Sequence, residues 1–255
     1  VQILDPGNFH AVSSATEASI DWNGDGGGTV MALFGKGMLI TFTEVKARDE
    51  RDFNEWYNRE HIDERINLPG FHRARRYVAV RASPKYLATY ECDSVDDLAT
   101  PSYLDRLANA TPWTQDVMAR FTHFNRLTLR IQIDLTHGEG GAVTVVRFVP
   151  DPARRRELTE WLRETALPRA IKRPGMLGTA VGENDLEIAN APVQQKSMDH
   201  PRADEVEWVV LLEGAEAAAS SAAARLLFKT TALKPFGVEA PPVIGTYRLL
   251  YGNQR

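Results

Sequence analysis

From residue 38 onward the chain alternates between short apolar, β-branched runs and stretches whose apolar side chains recur every three or four positions, the periods of strand and helix. Met38 to Glu44 reads as a strand, and Asp49 to Asn67 as a helix that Pro69-Gly70 stops. Phe71 to Arg81 and Lys85 to Cys92 read as two strands joined by a tight turn at Ser83-Pro84. Ser94 to Phe121 has helical spacing but contains Pro101 and Pro112. Each proline removes a helix donor, so the region is expected in pieces. Thr122 to Asp134 alternates as a fourth strand, which makes the order β-α-β-β-α-β.

The same order starts again after residues 135–141, where His137-Gly138-Glu139-Gly140-Gly141 suits a linker. Ala142 to Val149 reads as strand and Pro152 to Lys172 as helix, followed by Pro174-Gly175. Glu55-Trp56 returns as Glu160-Trp161, Ile66 as Ile171 and Pro69-Gly70 as Pro174-Gly175, all displaced by 105 positions without a gap. Tyr90-Glu91 matches Leu212-Glu213 only after about 17 further residues, which places an insert at residues 183–204. That polar insert is expected to form a long loop able to cover something. Pro242 to Tyr251 is the expected closing strand. Residues 31–134 and 142–255 are thus two repeats, the second degenerate. Each unit yields a four-stranded antiparallel sheet with helices on one face and a bare face on the other. The expected fold class is α+β: two ferredoxin-like repeats whose sheets pack face to face as a barrel within one chain.

Composition narrows the function classes. The 255 residues are 43% apolar and 25% charged, a globular balance that excludes general disorder. The formal charge of −4 sits wholly in residues 1–30, a Gly-rich polar extension with Asp5, Glu17, Asp21 and Asp25 and no Lys or Arg. The rest is neutral and has no electrostatic footprint for a polyanion, so neither nucleic acid nor anionic membrane is an expected partner. A lone Cys92 allows no intrachain disulfide, and no apolar run is long enough to span a bilayer, so a soluble, cytoplasmic protein is expected. An intrachain barrel does not need to dimerise, although a homodimer of two barrels stays open.

Phe53-Asn54-Glu55-Trp56-Tyr57-Asn58-Arg59-Glu60-His61, with Pro69-Gly70-Phe71 and Tyr86-Leu87-Ala88-Thr89-Tyr90-Glu91, resembles the EthD-like branch of the dimeric α+β barrel superfamily. The resemblance covers the first repeat nearly end to end and the second more weakly. It implies one fused chain doing what two ferredoxin-like subunits do elsewhere. It also implies a pocket between helix and sheet, where cofactor-free isomerases, cyclases, dehydratases and monooxygenases of the superfamily place acid–base residues.

At about 100° per residue, Phe53, Trp56, Tyr57, Glu60, His61 and Glu64 share one arc of the first helix, a face that turns polar halfway along. In the second repeat the position of His61 is Ala166. His61 titrates near neutrality and is the expected general acid or base, with Glu64 holding its tautomer and Tyr57 donating to a developing oxyanion. Trp56, Glu60, Tyr90 and Trp113 are expected around the substrate. His123, on the strand face of Leu127, Leu129 and Ile131, is expected to be buried and is a second proton carrier or a core histidine. Arg73 and Arg75 share a strand face. Arg75 is expected to grip a substrate carboxylate, to pair with Asp93, Asp96 or Asp97, or to lie solvated on a strand edge.

Asp21-Trp22-Asn23-Gly24-Asp25-Gly26 begins like a calcium loop but has Ala32 where a bidentate Glu is needed, so no metal is expected. No phosphate loop occurs, and no cofactor is expected. The leading reading is a cofactor-independent isomerase, cyclase or dehydratase acting on a small apolar or aromatic carbonyl compound. Its rivals are a non-catalytic binder of an apolar metabolite and a haem-binding or cofactor-free monooxygenase-type barrel.

Overall fold

The alternation of strand β1 (Gly37–Val45) sends Met38, Ile40 and Phe42 to one side and Leu39 to the other, and both sides are buried. That is the signature of a strand covered on both faces. In the computed structural model, which describes residues 33–194 and 203–255, β1 is one of eight antiparallel strands. The others are β2 (Phe71–Arg81), β3 (Tyr86–Cys92), β4 (Phe121–Asp134), β5 (Ala142–Phe148), β6 (Met176–Asn184), β7 (Trp208–Gly214) and β8 (Val243–Gln254). Their order, β1-β3-β2-β8-β5-β7-β6-β4, closes on itself. Each repeat supplies four consecutive strands of the ring. The two sheets face each other and also hydrogen-bond at both edges, β2 to β8 and β4 to β6, so no open edge is left.

The barrel interior is filled by Met38, Ile40, Phe42, Tyr77, Leu129, Val145, Leu211 and Tyr247, among others. The helices lie outside, each set over its own sheet. The stretch read as the first helix consists of α1 (Glu50–Trp56), a π-helical turn (Tyr57–His61) and α2 (Ile62–Ile66). The second repeat copies it as α5 (Arg155–Trp161), a π turn (Leu162–Ala166) and α6 (Leu167–Ile171). The 105-residue displacement therefore carries even the widened turn.

Pro101 and Pro112 open α3 (Pro101–Ala108) and α4 (Pro112–Met118). Thr100 and Thr111 cap them by accepting the backbone N–H of Tyr103 and Thr114. In the second repeat, α8 (Ala217–Leu227) and α9 (Thr230–Leu233) take their place. The insert departs from the expected loop. Leu186–Gln194 is helix α7, with Pro192 inside it, and it packs near β4 and residues 95–99 of the first repeat. Residues 1–32, which include the extension and the calcium-like Asp21–Gly26 run, lie outside the described residues, as do 195–202 of the insert.

The linker is part of the structure. Leu135 and His137 donate backbone N–H groups to Thr179 and Leu177, and Glu139 pairs with Arg73.

Candidate active site

Between the first helix and the outer face of the first sheet lies a cleft of about 440 Å³, within the usual range for small-molecule sites. It opens in the first repeat because the two helix faces differ. In the second repeat Leu158, Leu162, Ala166 and Leu167 are fully buried against the sheet, and the alanine-rich α8 fills what remains. In the first repeat two short helices, α3 and α4, replace one continuous helix, and Leu107, Ala108, Ala110 and Ala119 leave space beneath them.

His61 lines this cleft with its ring tilted against Trp56, the centroids 4.2 Å apart, and with Tyr57 and Tyr90 edge-on at 5.1 and 6.1 Å. Its Nδ1 is buried and has no hydrogen-bond partner. Burial, together with the nearby Arg65 and Arg76 cations, holds the imidazole pKa well below the usual histidine value, so the ring is neutral at pH 7. Tyr90 also lines the cleft. Its hydroxyl is buried without a bonding partner, and burial beside Tyr57 pushes its phenol well above the ordinary range. Arg76 stands behind Tyr57 with its guanidinium 4.1 Å from the ring centroid, and it donates to Asn54 and Asn58 at 2.7 Å each.

Of the expected site residues, His61, Tyr57, Trp56 and Tyr90 come together on the cleft. Glu60 stands outside it as an acceptor for the Thr111 and Thr114 hydroxyls at 2.6 and 3.1 Å, and Thr114 in turn accepts the Trp56 indole N–H at 2.9 Å. Glu60 thereby ties α4 to the first helix. Glu64 does not reach His61. It accepts a long bond from Arg106 of α3, and its carboxyl is raised by burial. Trp113 is half-buried away from the cleft and donates to Asp52.

His123 is exposed, contrary to the expected burial. It shares the strand face of Leu127 but lies opposite Glu44, where β1 ends. Arg75 points into the barrel instead of the cleft, with Arg73 and Tyr77 on the inward face of β2. It donates to Glu213 at 2.5 Å and to Glu91 at 3.4 Å. The partners of this inward face are Glu91, Glu139 and Glu213, not Asp93, Asp96 or Asp97.

The rest of the cleft comes from residues that the sequence pattern did not single out. Phe121, Phe124 and Arg126 of β4 face it, as do Tyr103 of α3, Met118 of α4, and Leu39 and Thr41 of β1. Strand parity could have found Phe124 and Arg126, since they alternate with the inward Leu127 and Leu129. Arg65 sits one turn beyond His61 and also lines the cleft.

A haem would need an axial histidine whose other ring nitrogen is held by a carboxylate or carbonyl. His61 has no such partner on Nδ1 and its ring packs 4.2 Å from that of Trp56, so the residues present do not fit haem ligation. Among the described residues, no three His, Cys, Asp or Glu side chains converge as metal ligands, and no helix is long and apolar enough to cross a membrane.

No protein-family model matches this sequence, and no curated protein matches it. Solved structures do. An anthrone oxidase-like protein superposes with a TM-score of 0.60 at 14% identity, over 86% of this chain and 92% of the other. A monooxygenase candidate from Lactobacillus acidophilus NCFM gives 0.52 at 12% identity, over 86% and 95%. Another, from Fusobacterium nucleatum, gives 0.52 at 10%, over 88% and 96%. At these identities the likeness is one of fold alone, an α+β barrel, here closed within a single chain.

Proposed function

We propose that this protein is a cofactor-independent enzyme in which His61 removes a proton from an aromatic carbonyl compound and dioxygen oxidises the resulting carbanion. One observation carries the reading. Of the eleven buried polar side-chain atoms without a partner among the described residues, five belong to residues lining this single cleft: Thr41, His61, Arg65, Tyr90 and Arg126. Unpaired buried polar groups are costly, and their convergence on a ring-lined cavity is what a ligand site requires.

A neutral imidazole at physiological pH is a base ready to accept a proton. In this scheme Nε2 takes a proton from a methylene conjugated to the substrate carbonyl, and the electron pair moves onto the carbonyl oxygen. The Tyr90 hydroxyl, with Tyr57 beside it, donates to that oxyanion. Trp56, Tyr103, Phe121 and Phe124 hold the planar rings and exclude water. Dioxygen then replaces the two methylene hydrogens: CH₂ and O₂ become C=O and H₂O, and His61 returns its proton to the departing oxygen.

The named neighbours, one anthrone oxidase-like and two monooxygenase candidates, support this reading through their shared fold. The EthD-like stretch of residues 53–61 supports it by coinciding with the helical wall of the cleft. Isomerisation, cyclisation or dehydration would share the proton transfer but consume no oxygen. An oxygen electrode with anthrone as substrate separates them. Uptake of one O₂ per ketone formed, lost in His61→Ala, is expected, and conversion without uptake contradicts the oxidative step.

A further inference from the structure

Arginine is charged at any physiological pH, so a buried guanidinium without a counter-ion marks either a high cost or an absent partner. The cleft holds two. Arg65 is 4% exposed and Arg126 is 6% exposed, and among the described residues neither lies within ion-pair distance of a carboxylate. Arg65 leaves Nη1 unbonded and lies 5.8 Å from the Tyr103 ring centroid. Arg126 leaves Nε unbonded and donates only to neutral oxygens, the Ala189 carbonyl at 3.1 Å and the Tyr103 hydroxyl at 3.4 Å.

Among the described residues no Asp or Glu lines the cleft. The nearby acids are hydrogen-bonded elsewhere, Glu60 to Thr111 and Thr114 and Glu64 to Arg106, although the Arg65 charge also acts on Glu64 from beyond ion-pair distance. On its far side Arg126 borders a second cavity of about 270 Å³ lined by Asp204, Glu205 and Glu207, of which Glu207 is paired with Arg147.

We infer that the cleft binds an aromatic carboxylate, with the ring against Trp56, Tyr90 and Phe124 and the carboxylate between Arg65 and Arg126. This deepens the proposed function, on which it rests, by assigning the substrate a permanent negative charge at the end opposite its reacting carbon. Among the described residues both cations lack a carboxylate within ion-pair distance. A role confined to a transient enolate would leave them so for most of the cycle, whereas a carboxylate present in the bound ground state compensates both. Planar guanidinium forks also match a carboxylate better than a diffuse anion. Arg75, for which a carboxylate grip was one of the expected roles, is already provided with two glutamates by the barrel interior.

The test is a titration of the full chain with 2-naphthoate and with the isosteric neutral 2-naphthamide, followed by calorimetry. The expected result is a naphthoate preference of at least about tenfold, the scale of a charge-assisted hydrogen bond. That preference should be lost in Arg126→Gln and in Arg65→Gln, while naphthamide affinity stays the same. His61→Ala should keep the preference, so failure of the anion site is distinguishable from failure of the catalytic reading. Should the arginine variants not fold, the wild-type comparison still decides. Equal affinity for acid and amide, or binding of neither, overturns the inference, as does a preference that survives both substitutions.

Discussion

The imidazole of His61 packs tilted against the indole of Trp56, the centroids 4.2 Å apart, although the two residues are five positions apart. In an α-helix that spacing separates side chains by about 140°, and they would not meet. The π turn at Tyr57–His61, in which Ile62 N–H reaches back to the Tyr57 carbonyl, closes the gap. π turns inside α-helices cluster at functional sites. Here the turn places a base on the wall of an aromatic cleft and buries its Nδ1.

The equivalent turn in the second repeat sets a specificity test. Trp161 has Ala166 in place of a histidine and packs instead against Phe228 and Phe236. Ala166 is fully buried in a filled core. Ala166→His is expected to overpack that core, costing about 1–3 kcal/mol in urea unfolding, without creating a second active centre. A gain in turnover per chain would show that the turn alone suffices.

Burial of His61 gives stability a pH dependence of definite sign. Its native pKa lies well below the unfolded value near 6.5. As pH falls below 6.5 the unfolded chain takes up a proton that the native protein refuses, so stability at neutral pH is progressively lost toward the native pKa. Urea midpoints measured between pH 7 and pH 5 should fall more steeply for the wild type than for His61→Gln. Parallel curves would mean that the ring is not buried neutral.

The two carboxylate clusters predict opposite phenotypes. Glu91 is buried between Arg73 and Arg75 inside the barrel, and Glu91→Gln should cost about 3–5 kcal/mol of stability by leaving buried cations short of charge. Glu60→Ala, which frees the Thr111 and Thr114 hydroxyls, should cost only about 1–2 kcal/mol. It should also raise KM, because α4 roofs the cleft. Denaturant melts paired with kinetics distinguish the two.

Much of this architecture is legible in the sequence because it is local. Pro69-Gly70 and its copy end two helices, Thr100-Pro101 and Thr111-Pro112 start two more, and the 105-residue displacement exposes the duplication. His61, Tyr57, Trp56 and Tyr90 lie on elements with clear periodicity, and they meet. What failed depended on long-range geometry. Glu64 turned toward Arg106 of α3, a contact 42 positions away. Arg75 found Glu213 only because the barrel closes, 138 positions along the chain. His123 kept its strand face but lay at the barrel's end, where that face meets solvent. Arg65 and Arg126 became informative only once the absence of carboxylates around the cleft was visible.

The central claim is that His61 removes the substrate proton, and that step can be read without oxygen. Anthrone incubated anaerobically with the protein in D₂O, followed by proton NMR, reports exchange at the methylene carbon. The account predicts protein-catalysed exchange that His61→Ala reduces by about 10²–10⁴-fold while the folded spectrum is retained. Exchange at the wild-type rate in His61→Ala would contradict it.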